Sequence, residues 1–302
     1  MYRNAYLLML LTTLFWAANS VAGKLAVGHI SPMVLTSLRW AISLALVYAI
    51  GWRQFARDWA QVRAHWLILF GLGAIGFTFF NGVMYSALKY TSVINVSIEQ
   101  AALPMLILIA NFLIFGIRVT WLQMAGFGLS VLGVAVTASH GDLRRLAQLD
   151  VNVGDGMMLA AALAYAAFTL GLRYKPQIHW MSLMTALCAA ALVASLPPLA
   201  AEIALGAATM PDAQGWGVAA FTAIFPSLLA QTFYMRGVEL IGGNRAGLFI
   251  NLVPVLGTLM AIAVLGEAFQ SYHALALVLV LGGIALAEYS ARRAAASGSR
   301  GK

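Results

Sequence analysis

Two charged side chains stand where the surrounding sequence is ready for lipid. Glu99 lies in S-I-E-Q-A-A-L-P-M-L, residues 97–106, and Arg39 in L-T-S-L-R-W, residues 35–40. An acidic side chain at the centre of a bilayer costs roughly 2.5–3.5 kcal/mol on insertion scales, so keeping one asks for compensating chemistry. Glu99 has three choices: an ion pair with Arg39, a contact to an ammonium group, or the uptake and release of a proton. Arg39 has two. It can anchor or pair, and Trp40 beside it favours snorkelling toward the headgroups, or it can grip a carboxylate. Pro104 follows Glu99 closely, and Pro254 stands in F-I-N-L-V-P-V-L, residues 249–256. Proline inside a helix removes a hydrogen bond and costs about 3 kcal/mol. The carbonyls it frees must face protein or a wet cavity, so helix kinks at both prolines would suit a cavity wall.

Further polar and aromatic residues fall inside apolar runs: Asn19, Asn81, Gln231, Tyr234 and Asn251, with Asn95 and Gln100 flanking Glu99, and Trp16, Tyr85 and Tyr165 as rings able to stack on a ligand. Each also has a packing explanation. The chemistry that is missing narrows the field. The five histidines sit at span ends or loops, no single span carries two carboxylates, and no H-E-x-x-H, G-x-S-x-G or phosphate-binding loop occurs. One cysteine, Cys188, leaves no internal disulfide or cysteine metal site. No enzyme activity, catalytic residue, metal or cofactor is expected.

The elements that must position these residues are membrane helices. The chain is 62% hydrophobic and 9% charged, against about 25% charged in a soluble domain. Runs near the length needed to cross a bilayer number ten: 4–24, 32–51, 65–87, 91–115, 119–139, 153–173, 179–201, 214–236, 243–265 and 271–290, with longer linkers at 52–64, 140–152 and 202–213. The first reads as a retained helix, since no cleavage site and hydrophilic mature chain follow it. Lys and Arg near short loops set orientation. With the N-terminus inside, 13 basic residues, among them Arg118, Arg245, Arg292 and Arg293, fall on the cytoplasmic side and four, Lys24, Lys89, Arg144 and Arg145, outside. Both termini are therefore expected in the cytoplasm, the partner is the lipid bilayer, and the net charge of +8 reflects topology and not nucleic acid. Tryptophans 52, 59, 66, 121, 180 and 216 read as an interfacial belt.

Sliding the chain by 150 residues sets Pro104 on Pro254, Gly116 on Gly266, Gly133 on Gly283 and Asn81 on Gln231 without a gap; near the start an offset of 149 pairs Trp16 with Tyr165. Five helices per half is an odd number, so the second half enters from the opposite face. The expected fold is all-α integral membrane, ten transmembrane helices as two inverted five-helix repeats: 1–140, a linker 141–152, 153–290, and a basic tail 291–302. Inverted repeats around a midplane site are a common plan of secondary transporters. At about 1.5 Å per residue, Arg39 lies ~10 Å and Glu99 ~12 Å in from the outer face. Asn19 and Asn81 join that outer layer, while Gln231, Tyr234 and Asn251 form an inner one. The glycines of G-L-G-A-I-G (71–76) and G-F-G-L-S-V-L-G (126–133) suit close helix packing, and Gly242–Asn244 would start helix 9.

The pattern A-L-x-Y-T at Ala87–Thr91, then Pro104, Gly116 and G-x-x-L-x-x-x-G-V from Gly126, with a second copy at Pro254, L-G-E (265–267) and L-G-G-I (281–284), resembles the ten-helix EamA type of the drug/metabolite transporter superfamily. The first copy departs from it, with F-G-I-R (115–118) where the family has G-E. The chain is most similar to the bacterial aromatic amino-acid and drug exporter group. That resemblance implies export of amino acids, aromatic ones especially, and related small metabolites across the inner membrane by alternating access, the protein acting as a monomer. Helices 1, 3, 4, 6, 8 and 9 would line the cavity, and 5 and 10 buttress it. With one intramembrane carboxylate and no relay, facilitated flux is favoured slightly over proton coupling. A sugar-nucleotide or other metabolite carrier of the same fold, and a channel, stand as alternatives.

Overall fold

The structure, a computed structural model, describes residues 4–116, 119–142, 152–241 and 249–299, with side chains through 290. Ten helices carry the described chain: α1 (Ala5–Leu25), α2 (Pro32–Ala64), α3 (Trp66–Ala87), α4 (Val93–Phe115), α5 (Trp121–Ala138), α6 (Val153–Gly171), α7 (Trp180–Ala204), α8 (Ala213–Ile241), α9 (Val253–Leu265) and α10 (Ser271–Ser299). Among the described residues nine are long and apolar enough to cross a membrane; α9 is a shorter apolar helix. Arg3, Arg118, Arg144, Arg145, Arg245, Arg300, Lys302 and Gly242–Asn244 lie outside the described residues, as does linker 143–151.

The expected linker 52–64 is instead helical. W-R-Q-F-A-R-D-W-A-Q-V-R-A holds good helix formers and neither glycine nor proline, so α2 continues as an amphipathic extension. Side-chain caps mark other starts. The Asn4 side chain accepts from the Leu7 amide, the Ser92 hydroxyl from the Asn95 amide, and Thr120 with Gln123 forms a capping box opening α5.

Counterpart helices run in opposite directions. Lys24 at the end of α1 donates to the carbonyls of Leu88 and Thr91, Asn152 at the start of α6 donates to the Tyr90 carbonyl, and the amides of Val93 and Ile94 donate to Glu267, just before α10. One end of the molecule, the Lys24 end, therefore holds the finish of α1 and the start of α6, and likewise the start of α4 and the finish of α9. The halves share local geometry as well. A π-helical stretch interrupts α3 at Gly73–Phe79 and α8 at Ala223–Leu229. The helix Leu103–Phe115 matches Val253–Leu265, each with its proline in the first turn. Both end on a left-handed glycine, Gly116 at φ 63° and Gly266 at φ 66°, the conformation glycine adopts without steric cost. In every case the offset is 150 residues.

Helices in lipid gain from close backbone approach at small residues. α5 and α10 pack at Gly126 and Gly283, each α-carbon facing the other's carbonyl oxygen, and Gly133 lies on Val280. A β-carbon on Gly73 would stand 2.7 Å from the Leu187 carbonyl oxygen, and one on Gly76 would enter the Phe168 ring. Of the tryptophans placed at the interface, Trp52, Trp59, Trp66, Trp121 and Trp216 are exposed, whereas Trp180 is part-buried against the core around Trp40 and Leu187.

Candidate functional site

Arg39 sits seven residues into α2 and is only 4% exposed. It does not snorkel. Its Nε donates to the Ser227 hydroxyl at 2.8 Å, and Nη1 donates to Asn19 Oδ1 at 2.9 Å, to Asn81 Oδ1 at 2.7 Å and to the Tyr85 hydroxyl. Tyr85 in turn donates to Asn19 Oδ1 at 2.9 Å. The guanidinium lies 4.8 Å over the Trp40 ring, which stacks on Phe77. Every hydrogen-bond partner is neutral, and among the described residues no carboxylate reaches Arg39.

The two π-helical stretches build this centre. A π-turn displaces the residues that follow it and is frequent at functional sites. Asn81 comes just after the α3 stretch and is fixed by its own donation to the Phe77 carbonyl at 2.8 Å. Ser227 lies inside the α8 stretch, where Pro226 supplies no amide, and donates to the Thr222 carbonyl five residues back. α1, α2 and α3 from one half and α8 from the other thus meet at one cation.

A second polar centre surrounds Glu99, which is 3% exposed, with no hydrogen-bond partner for either carboxyl oxygen. Asn95, one turn earlier on the same face of α4, donates to Thr91 Oγ1 at 3.2 Å and to Asp155 Oδ1 at 3.4 Å. Thr91 also donates to Asp155 Oδ1. Asp155, on α6, is 2% exposed and its Oδ2 has no partner. His273, on α10, contacts Asn95 Oδ1 through Nε2 at 3.2 Å, while its Nδ1 accepts from the Gln270 amide at 3.0 Å.

The sequence profile of the EamA-like transporter family matches this chain twice, over residues 3–139 and 152–289. The chain belongs to the EamA-like transporter family. Similar proteins include the uncharacterized transporter YyaM of Bacillus subtilis (strain 168), 27% identical over 290 residues, covering 93% of this chain and 92% of that one. An uncharacterized transporter of Archaeoglobus fulgidus is 24% identical over 288 residues, covering 95% and 98%. A crystal structure of a protein superposes with a TM-score of 0.64 at 22% identity, covering 96% of this chain and 98% of the other, a likeness that speaks to the fold. This EamA chain is a multi-pass membrane transporter.

Of the residues singled out from its sequence, Asn19, Arg39, Asn81 and Tyr85 come together. Glu99 stands apart from them. The Arg39–Glu99 ion pair does not form, because Glu99 faces α6 and α10 while its neighbour Gln100 turns to α1, donating to Ser20 at 3.2 Å. Trp16 meets Tyr234 from the other half with ring centroids 5.4 Å apart, whereas Tyr165 packs on Phe80 at 4.8 Å and on Phe168 at 5.5 Å. Trp16 and Tyr165, matched in sequence, therefore pack on different rings. Gln231 is half-buried on α8, and Asn251 donates to Glu288 Oε1 at 3.0 Å. α4 breaks at Ala102, with Pro104 second in the new helix, and Pro254 holds the same place in α9.

Three functional candidates escaped the sequence reading. Asp155 has the ordinary role of an acidic first-turn residue suited to the helix dipole, His273 reads as a span-end histidine, and Glu288 falls near the end of the tenth apolar run, 271–290. Glu99 is thus not a lone carboxylate, and α10 contributes polar groups as well as packing. Only spatial placement brings Asp155 of α6 and His273 of α10 to the same residue, Asn95 of α4.

Proposed function

We infer that this transporter exports amino acids, aromatic ones first, and related small amphipathic metabolites across the bacterial inner membrane. It does so as a monomer by alternating access, with both termini cytoplasmic. The observation that carries the reading is Arg39: a buried guanidinium with neutral partners only, and no hydrogen bond from Nη2 among the described residues. A substrate carboxylate supplies the missing anion and the planar geometry a guanidinium favours. Three residues before Asn19 on α1, and so near the same helix face, stands Trp16, whose contact with Tyr234 joins two rings from opposite halves. An aromatic side chain fits against such rings by offset or edge stacking. Gln231, half-buried three residues before Tyr234 on α8, adds a polar group near the rings.

The Lys24 end is the closed one. Val93, Ile94, Val96 and Ile98 in the first part of α4 are fully buried, whereas only Met105 is buried in Leu103–Phe115. Taken with the distribution of basic residues, this tightly packed end is read as the outer one. Counterflow in proteoliposomes tests the assignment. Vesicles loaded with unlabelled phenylalanine, tryptophan or threonine are given the labelled compound without an ion gradient. Transient accumulation of the aromatic compounds is expected. No accumulation of any amino acid, with the protein folded, overturns the substrate class.

A further inference from the structure

We propose that Glu99 and Asp155 form a proton-binding site shared between the two halves, reached from the Lys24 end and separate from the Arg39 centre. The proposal rests on the chain being a carrier and not on which substrate it carries.

Three buried carboxyl oxygens, both of Glu99 and Oδ2 of Asp155, have no donor. Among the described residues the only donors to either carboxyl group are Thr91 and Asn95, both aimed at Asp155 Oδ1. Asp155 is bonded by Asn95, one turn before Glu99 on the same face of α4, so two negative charges on neighbouring buried groups would stand with oxygens bare. Like-charged carboxylates sharing a site cannot both stay ionised, and titrate as a pair. A proton removes one charge and supplies the missing donor. A metal ion fits worse: among the described residues no group of three His, Cys, Asp or Glu side chains stands close enough to hold one.

The neighbouring hydrogen bonds fix the rest of the site. His273 Nδ1 accepts from the Gln270 amide, so its Nε2 carries the hydrogen that is donated to Asn95 Oδ1. That orients the Asn95 amide with its NH2 toward Thr91 and Asp155. His273 is therefore a positioning residue in its neutral form, and the carboxyl pair is the proton carrier. Other titratable groups frame the mouth. Lys24 of α1 is bonded to the Leu88 and Thr91 carbonyls, and Glu267 before α10 caps α4. His140, beyond α5, lies in ring contact with Tyr272 of α10. α9 presents no titratable side chain to α4 among the described residues.

The step is simple: when the halves open the Lys24 end, one proton from the medium binds the pair and takes its charge from −2 to −1, and the same proton leaves when the halves rearrange and the pair is exposed to the other side. Infrared difference spectroscopy tests this without any substrate. Purified protein in liposomes is titrated between acid and alkaline pH in H2O and D2O. The expected signal is a deuterium-sensitive C=O stretch of a buried carboxylic acid that vanishes at high pH, is absent in Glu99→Gln and is displaced in Asp155→Asn. Monodispersity and helical circular dichroism report folding. If Glu99→Gln does not fold, the displacement in Asp155→Asn carries the test. The same band surviving in Glu99→Gln overturns the proposal, as does a carboxylate signal that follows sodium, compared with choline, at fixed pH. Wild-type protein that shows the titrating band yet exchanges no amino acid would sink the substrate class and leave the proton site standing.

Discussion

Replacing Arg39 by methionine separates recognition from folding, because the structure assigns different costs to the two. On the folding side, Asn19 Oδ1 keeps the Tyr85 hydroxyl as donor, and Ser227 keeps its own bond to the Thr222 carbonyl. Only Asn81 Oδ1 is orphaned, and an unsatisfied buried acceptor costs about 1–3 kcal/mol. Removing a buried guanidinium with no anion relieves desolvation and offsets part of that. Arg39→Met should therefore fold, with a modest drop in Tm. On the binding side, a charge-assisted hydrogen bond from Nη2 to a substrate carboxylate is worth about 1.5–3 kcal/mol. Losing it weakens binding roughly ten- to 150-fold. Scintillation proximity binding of labelled phenylalanine, competed with phenylalanine and with phenethylamine, measures this. Wild type should prefer the amino acid, whereas Arg39→Met should bind the two alike. Lysine keeps the charge without the planar fork, so Arg39→Lys should fall between them. Unchanged phenylalanine affinity in Arg39→Met refutes the assignment, and so does an equal loss for phenethylamine, which has no carboxylate to lose.

Three further outcomes follow from geometry. Gly126→Leu should destabilise by about 1–3 kcal/mol, the usual cost of overpacking, because its side chain must enter the contact with Gly283, while Gly128→Leu, which meets open space, should leave Tm unchanged. Glu267→Gln should lower stability by about 0.3–1 kcal/mol in thermal unfolding at low salt, since its carboxylate caps the start of α4 at 2.8 and 3.0 Å; raising the salt should shrink the difference. Asp212, in the exposed loop before α8, is held below the usual carboxylate range by His29 at 2.6 Å and then by the Gly215 amide. A lowered folded-state pKa stabilises above the ordinary Asp range and is lost as pH falls through that range toward the folded value. The Tm difference between wild type and Asp212→Asn should therefore be present at neutral pH and vanish in acid.

Depth was legible in the sequence and direction was not. Counting residues from the helix ends placed Arg39, Asn19, Asn81 and Glu99 in one layer, but the rotation of each helix about its axis decides which of them meet. Four residues along one α-helix return to the same face, so Asn95 and Glu99 travel together toward α6 and α10 while Gln100 turns to α1. The repeat was partly legible. Pro104 and Pro254 hold equivalent positions, as the shared offset indicated. The π-helical stretches were not readable, because glycine at 76 and proline at 226 reach one backbone geometry by different routes: Gly76 lets the Phe168 ring approach, and Pro226 withholds an amide. Asp155 was hidden by its position near the start of α6, where an acidic residue has an ordinary reason to be.

Both polar centres straddle the boundary between the halves, and that gives each ligand a route to the conformational equilibrium. Arg39 on α2 is tied across to Ser227 on α8, and the Glu99 side of α4 to Asp155 on α6 and His273 on α10. A ligand shifts a two-state equilibrium only by its difference in affinity for the two states. Under the proposed alternating access, a movement of the halves changes the Arg39–Ser227 bond and the Thr91 and Asn95 bonds to Asp155 together, and the proposed carboxylate and proton would each bind the two states unequally. Coupling then needs no contact between the sites. By reciprocity, the factor by which binding a proton changes affinity for the transported compound must equal the factor by which that compound changes affinity for the proton. Binding measured across pH and proton uptake measured across ligand concentration must return one number, and two different numbers would mean that the centres do not share a single motion of the halves.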